Sequence, residues 1–377
     1  MERQGLYREA VLRGAWRVAA EHGWRVRGSD PRYTTLAHIR AWRTEGILTT
    51  LWGDEFVGNI LSLGLPLVDV YDWVDVPGVH RVGIDDCAVG KMAGDFLLSR
   101  RLRSFAFVGE LTYTFARQRF EGFRSTLEAG GYGCQGYHGA VHMSSWNLSD
   151  GSTLTEGPLA EFLRGLDRPA GLLAVNDDVA LQVLDAAKVS GLRIPDDIAI
   201  LGVDDDALLC SLATPPISSI ATDPHRVGVQ ASHVLHRLMT GVACPAITLL
   251  PPIGVIERQS TDMLAVEDPD VAAAIRWLRD NVGRPIKVQD VLRHVPLSRR
   301  SLEIKFARHI GRSPHEELTR LRVERAKTLL AQTDLPIGTV ALRSGFQHAG
   351  RLATVFQEIT GLTPTAYRRE FLSGGNA

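Results

Sequence analysis

Cysteine is scarce in this chain: four among 377 residues, Cys87, Cys134, Cys210 and Cys244. They lie far apart with no C-x-x-C pair, so spacing supports neither a disulfide framework nor a zinc site. Long apolar runs are missing as well. No segment reaches the roughly 18 apolar residues of a membrane helix. The first residues, Met1-Glu2-Arg3-Gln4-Gly5-Leu6-Tyr7, carry charge but neither the apolar stretch nor the small-residue cleavage site of an export signal. A reducing, cytoplasmic setting without a membrane partner is the expectation. Glycine and proline together make about one residue in seven and follow no repeat period, which excludes collagen-like and low-complexity architecture. What the chain does have is apolar content, 45% of its residues, spread over a length that suits two or three domains.

The net charge of −1 hides an asymmetry. From Asp270 onward there are 18 Lys and Arg against 10 Asp and Glu, whereas the residues before it hold 24 basic against 33 acidic. An acidic front joined to a basic tail is expected when the tail alone meets a polyanion, so double-stranded DNA is the expected partner of the tail.

In the front region, short apolar runs alternate with amphipathic helical stretches. Gly46 to Leu51, Leu65 to Tyr71, Ser104 to Gly109, Gly171 to Val175 and Ile198 to Val203 read as strands. Arg8 to Glu21, Ala88 to Arg100, Arg119 to Ala129 and Asp178 to Ser190 read as helices. This alternation predicts parallel sheet covered by helices on both faces, with ligands bound beyond the carboxyl ends of strands. Those positions are polar: Asp85-Asp86 follows Val82-Gly83-Ile84, Asn176-Asp177-Asp178 follows Leu173-Ala174-Val175, and Asp204-Asp205-Asp206 follows Leu201-Gly202-Val203. Such acceptors, with a guanidinium such as Arg119, suit a ligand rich in hydroxyl groups. The competing reading is that each cluster caps the helix it precedes.

The stretch Leu173 to Ala180, the run Gly191-Leu192-Arg193-Ile194-Pro195-Asp196-Asp197 leading into Ile198 to Asp205, and Thr214-Pro215-Pro216-Ile217-Ser218-Ser219-Ile220 resemble the sensor core of LacI/GalR-type repressors and periplasmic sugar-binding proteins. The resemblance implies a two-lobed α/β, periplasmic-binding-protein-like sensor domain over residues 1–262. It implies sugar contacts from Asp85, Arg119 (within Arg119-Phe120-Glu121-Gly122-Phe123), Asn176 and Asp204, with Asp177 and Asp205 supporting the loops. Tyr7, Phe115 and Trp146 lie in loop-like contexts and are candidates to stack on a sugar ring. The family opens with a strand ahead of its first helix, and here the first helix begins almost at Met1. The pocket wall near Tyr7 and Arg8 is therefore the part of the resemblance that departs from the pattern.

Residues 263–269 read as a linker, and beyond it the period becomes helical. Val271, Ala274, Ile275 and Leu278 share one helix face. Over residues 286–309 a short helix, a turn at Val295-Pro296-Leu297 and a basic helix capped by Ser298 form a helix-turn-helix. The pattern returns over residues 335–359, joined by the helical stretch Pro314 to Gln332, with fifty residues separating Ser298 from His348. Two such units suit successive major grooves on one face of DNA. With its ending Gly345-Phe346, Phe356 and Gly361-Leu362-Thr363-Pro364-Thr365-Ala366-Tyr367-Arg368, the tail is similar to AraC/XylS-type DNA-binding domains. The resemblance implies an all-α domain over 270–377. It places base contacts on Arg299, Arg300 and Glu303 and on Gln347, His348 and Arg351, with Lys305 and Thr354 nearer phosphate. Leu352 stands where an aromatic is usual and Gln357 where a basic residue is usual, which implies weaker phosphate attraction at the second unit.

A sensor of the first kind in front of a tail of the second resembles the regulators of xylose operons. That implies a dimeric, sugar-responsive transcription activator, D-xylose as effector, and RNA polymerase as a further partner. No metal, cofactor or catalytic residue is expected. A glycosidase reading of the acidic clusters is opposed by the Asn and Arg that accompany them and by a tail a hydrolase has no use for. An alkyl-transfer repair reading lacks a suitably placed cysteine.

Overall fold

The computed structural model describes residues 6–27, 35–71, 73–139, 141, 157–262 and 268–373. Helices α1 (Leu6–His22), α2 (Leu36–Ala41) and α3 (Asp54–Leu61) and strands β1 (Ile47–Thr49), β2 (Leu67–Asp69) and β3 (His80–Ile84) come first. The chain then crosses into α4 (Asp86–Ser99), β4 (Ser104–Val108), α5 (Thr114–Ala129), β5 (Gln135–Tyr137), α6 (Pro158–Arg164) and β6 (Ala170–Ala174). It continues through α7 (Asp177–Val189), β7 (Ile198–Asp204), α8 (Ala207–Leu212) and β8 (Ser218–Ala221). It returns through α9 (Pro224–Met239) and β9 (Ile247–Leu250), and β10 (Gly254–Ile256) crosses once more.

Two sheets result. The first has the order β1-β2-β3-β9, all parallel, and the second β10-β8-β7-β6-β4-β5. The second sheet is parallel except at β10, which runs antiparallel to β8, a departure from the wholly parallel expectation. Three crossings between the sheets, after β3, β8 and β9, make the front two lobes joined by three short segments. β6 and β7 are almost wholly buried and correspondingly apolar, which is why they are legible from sequence. β5, β8, β9 and β10 were not expected. They are three or four residues long, and β8 contains two buried serines, the opposite of a strand-like composition. Those serines are satisfied by hydrogen bonding: Ser260 Oγ accepts from Ser218 N at 2.8 Å, and Ser219 Oγ donates to Asp177 Oδ1 at 2.6 Å. Among the described residues no strand precedes α1, which packs along α9.

The rear is helical: α10 (Pro269–Asn281), α11 (Val288–Val291), α12 (Arg299–Ile310), α13 (Pro314–Gln332), α14 (Ile337–Arg343), α15 (Ala349–Thr360) and α16 (Pro364–Ser373). Asp268 caps α10, so the helix starts within the expected linker, whose residues 263–267 lie outside the described ones. Two small cores form. Leu302 and Phe306 of α12 pack with Val271, Leu278, Val291 and Leu318. Leu352 and Phe356 of α15 pack with Val323, Ala326, Leu330 and Val340. α13 supplies both cores and so fixes the spacing of the two units. The fifty-residue repeat continues to the helix ends. Gly311 and Gly361 terminate α12 and α15 in the left-handed conformation that glycine adopts without penalty, each followed two residues later by Ser313 or Thr363 and then Pro.

Candidate functional site

The carboxyl ends of β3, β6 and β7 face one cleft between the lobes. Arg119, buried on the first half of α5, is its centre. Its Nε donates to Asp86 Oδ1 at 2.7 Å, its Nη1 to the Val175 carbonyl at 2.5 Å, and its Nη2 lies 3.6 Å from Asp204 Oδ1. Burial acts to lower the guanidinium pKa, but Asp86 and Asp204 outweigh it and raise the group above its ordinary value. For Asp204 the balance goes the other way: burial raises its carboxyl pKa more than Arg119 lowers it.

Aromatic side chains wall the cleft. Tyr7 meets Tyr71 edge-on at 4.6 Å, Tyr71 meets Phe115 at 5.5 Å, and the guanidinium carbon of Arg119 lies 5.2 Å from the Phe115 ring centre. Tyr7, Tyr71, Gly83, Ile84, Asp86, Phe115 and Arg119 line a cavity with room for about one water molecule. Tyr7 is anchored by its hydroxyl, which donates to the Val70 carbonyl at 3.1 Å. Burial raises both tyrosine hydroxyls well above their ordinary range, so they stay protonated donors.

Each acidic cluster divides its labour. Asp85 Oδ1 accepts from Ala88 N and caps α4, and the carboxylate that lines the cavity is its neighbour Asp86. In the first cluster it is therefore Asp86 that lines the cavity, while one oxygen of Asp85 is engaged at the start of α4. Asn176 Oδ1 caps α7 through Val179 N, and Asn176 is buried beside the cleft. Asp206 caps α8, and Asp204 projects toward Arg119. Asp177 and Asp205 support the loops, as expected. Asp177 Oδ2 accepts from Asp206 N, and Arg258 Nη2 donates to Asp205 Oδ1 at 2.7 Å. Asp204 and Asp205 both have positive φ, 102° and 52°, a strained backbone for non-glycine residues that these bonds hold in place. Tyr7 and Phe115 are therefore cavity residues, whereas Trp146 lies outside the described residues. Tyr71 and Asp86 were missed. Tyr71 follows β2 at a strand end, the place where the rule for such sheets directs attention.

In the helix-turn-helix units, Arg299, Arg300 and Glu303 of α12 and Arg351 of α15 are exposed, as is Gln347 just ahead of the α15 cap, and Arg299 Nε donates to Glu303 Oε1 at 3.1 Å. Ser298 and His348 are caps: Ser298 Oγ accepts from Ser301 N, and His348 Nδ1 accepts from Arg351 N. Lys305 pairs within the protein, its ammonium lying 2.8 Å from Asp268 and 2.7 Å from Asp270 at the start of α10, so a phosphate there would compete with two carboxylates. Thr354 donates its hydroxyl to the Gly350 carbonyl and stands opposite the buried Leu352 and Phe356, on the outermost line of α15.

The two halves touch. Arg320 of α13 lies 2.7 Å from Asp262, Arg279 of α10 lies 2.9 Å from Asp196, and Gln259 Nε2 donates to Thr328 Oγ1 at 3.1 Å. Gln259 directly follows Arg258, the partner of Asp205 beside the cleft. Burial acts to raise Asp262, but Arg320, with Arg279 and Arg100, outweighs it and holds the carboxyl below its usual range. Since the folded value lies below the unfolded one, this contribution is complete above about pH 4 and is lost as pH falls through the lowered value. Asp262→Asn is expected to cost about 1 to 3 kcal/mol at pH 7, with the gap to the unaltered protein closing in acid. Urea unfolding at pH 7 and pH 3 checks it; an equal gap at both would contradict the assignment.

A two-lobed ligand-binding module whose cleft loops lead to a pair of helix-turn-helix units defines a DNA-binding transcription regulator. A periplasmic binding protein-like domain matches residues 95–261 and a helix-turn-helix domain matches residues 291–370. The xylose operon regulatory protein of Escherichia coli K12 is 27% identical over 363 residues, covering 94% of this chain and 91% of that one. That of Haemophilus influenzae is 30% identical over 297 residues, covering 78% and 75%. The solved structure of the xylose-binding transcription activator xylR superimposes with a TM-score of 0.75 at 25% identity, covering 98% of this chain and 96% of that one. The chain belongs to the xylose operon regulatory protein family. Among the described residues no helix is long and apolar enough to cross a membrane.

Proposed function

We propose that the protein is a cytoplasmic, homodimeric activator of pentose-utilisation genes, with D-xylose as its effector and RNA polymerase as a partner on DNA. The observation that carries the reading is the Arg119 fork, whose two acceptors, facing Asp204 carboxylate and aromatic surround form a polar centre in an apolar-walled cleft, the chemistry of sugar recognition. The names of the relatives support xylose among the pentoses. Arg119, Asp86, Asp204 and Asn176 are the proposed hydroxyl partners, and Tyr7 and Phe115 the ring platforms; Asp85 holds the helix start. A cavity of one-water size accepts a pentose only if the lobes part or the aromatic rings separate, and parting of the lobes is the route that couples binding to the rear domain. The Asp204-Asp205 turn, Arg258 and the Gln259–Thr328 contact then transmit that parting to α13 and both helix-turn-helix units.

Calorimetric titration with D-xylose, L-arabinose, D-ribose and D-glucose tests the reading. Saturable binding of D-xylose, at least tenfold tighter than the others, is the expected result. Saturation by another of the four replaces the effector but keeps the sensor, and silence from all four contradicts sugar sensing.

A further inference from the structure

α12 carries an apolar side chain where its buried face cannot use it. Leu302 and Phe306 are fully buried and fix the inward direction of the helix. At about 100° per residue, position 304 points opposite to their mean direction. Ile304 is 58% exposed there, and among the described residues it is the one large apolar side chain of α12 that solvent reaches freely. One turn away on either side stand Arg300 and Arg308, both exposed. The outermost line of the helix is therefore cation, branched aliphatic, cation. The neighbouring line differs: Arg299 and Glu303 pair with each other.

We propose that Ile304 is a specificity-determining residue of the first helix-turn-helix unit, packing against the C5-methyl group of a thymine in the major groove. The methyl is the apolar group that base edges present in that groove, and guanidinium groups one turn either side match phosphate oxygens or the acceptor edge of guanine. An exposed isoleucine between two arginines has no packing role in the free protein, and the same three side chains together match a groove that alternates negative charge with a methyl. Fifty residues later Thr354 takes the equivalent position, between Gly350 and Glu358, so the second unit lacks both flanking cations. The discrimination falls on the first unit. The inference rests on α12 being a DNA-reading helix.

The test uses the full chain and a pool of randomised duplexes, followed by single replacement of each thymine in the enriched site by deoxyuridine, which removes the methyl group alone. One replacement is expected to weaken binding by the unaltered protein about fourfold, the factor carried by burial of one methyl-sized group. Ile304→Ala is expected to bind the thymine and deoxyuridine sites equally, both at the weakened level, with an unchanged thermal midpoint because the side chain is exposed. If the unaltered protein is indifferent to deoxyuridine at every position, or if Ile304→Ala keeps the methyl preference, the proposal is overturned while DNA reading stands. If no sequence is enriched at all, DNA reading by α12 falls and the proposal with it.

Discussion

Arg119→Ala is expected to abolish the effector response and to destabilise the front domain by about 3 to 5 kcal/mol, the cost of removing one partner from a buried ion pair. The loss is large against the 5 to 15 kcal/mol that holds a typical domain folded. Truncation takes the Arg119 guanidinium from the buried Asp86, removes the side-chain donor to the Val175 carbonyl, and takes away an opposite charge that lowers Asp204. The deficit carries a pH signature. Burial already raises the Asp204 carboxyl, and losing the guanidinium moves its folded pKa further above the unfolded one, so the variant is least impaired in acid and loses stability as pH rises. Arg119→Lys keeps the charge but cannot bond Asp86 and the Val175 carbonyl while facing Asp204 as one planar fork does, and an intermediate effect is expected. Urea unfolding at pH 5 and pH 8, with sugar titration of each variant, provides the measurement. A fully stable Arg119→Ala that still binds sugar would remove Arg119 from the site.

Gly122→Ala is expected to cost about 2 kcal/mol or more, although alanine is worth close to 1 kcal/mol more than glycine in a helix interior. A methyl group at Gly122 would stand 2.1 Å from the Cys87 carbonyl oxygen, and one at Gly90 would stand 2.1 Å from that of Arg119. α4 and α5 thus cross backbone to backbone, and forcing them apart moves the helix that carries Arg119. A fall in sugar affinity is expected together with the fall in stability. Gly58→Ala provides the contrast: nothing lies within 4 Å of a methyl there, and the helix should gain about 0.5 to 1 kcal/mol. Thermal unfolding of the two variants decides the matter, and a neutral Gly122→Ala would mean that the helices slide without penalty. The same device recurs in the other lobe, where a methyl group at Gly14 or Gly228 would stand 2.1 or 2.0 Å from an opposing carbonyl oxygen of α9 or α1.

Sequence patterning located the elements that bury the most. The continuous apolar runs of β6 and β7, the helical period of α10 and α13, and the repeated Leu-x-x-x-Phe of α12 and α15 are local signals, and each element lies where its pattern placed it. The short edge strands β9 and β10 were illegible because Pro251-Pro252 divides them and each is held by its neighbour in the sheet rather than by its own composition. Site residues followed the same division. Strand-end carboxylates and Arg119 were visible as types at positions. Which acid caps a helix and which faces the cleft was not visible, since adjacent aspartates differ only in the direction the helix start gives them. The pairing of Lys305 was not visible because its partners, Asp268 and Asp270, are 35 or more residues away in the chain.

The sequence by itself determined the two-part plan: an acidic α/β front, a basic all-helical rear, two helix-turn-helix units fifty residues apart, and an arginine with acidic strand ends suited to hydroxyl groups. Periodicity, charge and capping residues are properties of neighbouring positions and survive without a fold. The tertiary structure alone decided that Asp86 rather than Asp85 enters the cavity, that Tyr7 and Tyr71 from the first lobe close over Arg119 of the second, and that Asp262 and Gln259 join the front to α13. Those facts depend on side chains distant in the chain competing for the same buried donors and acceptors, and only packing settles which of them meet.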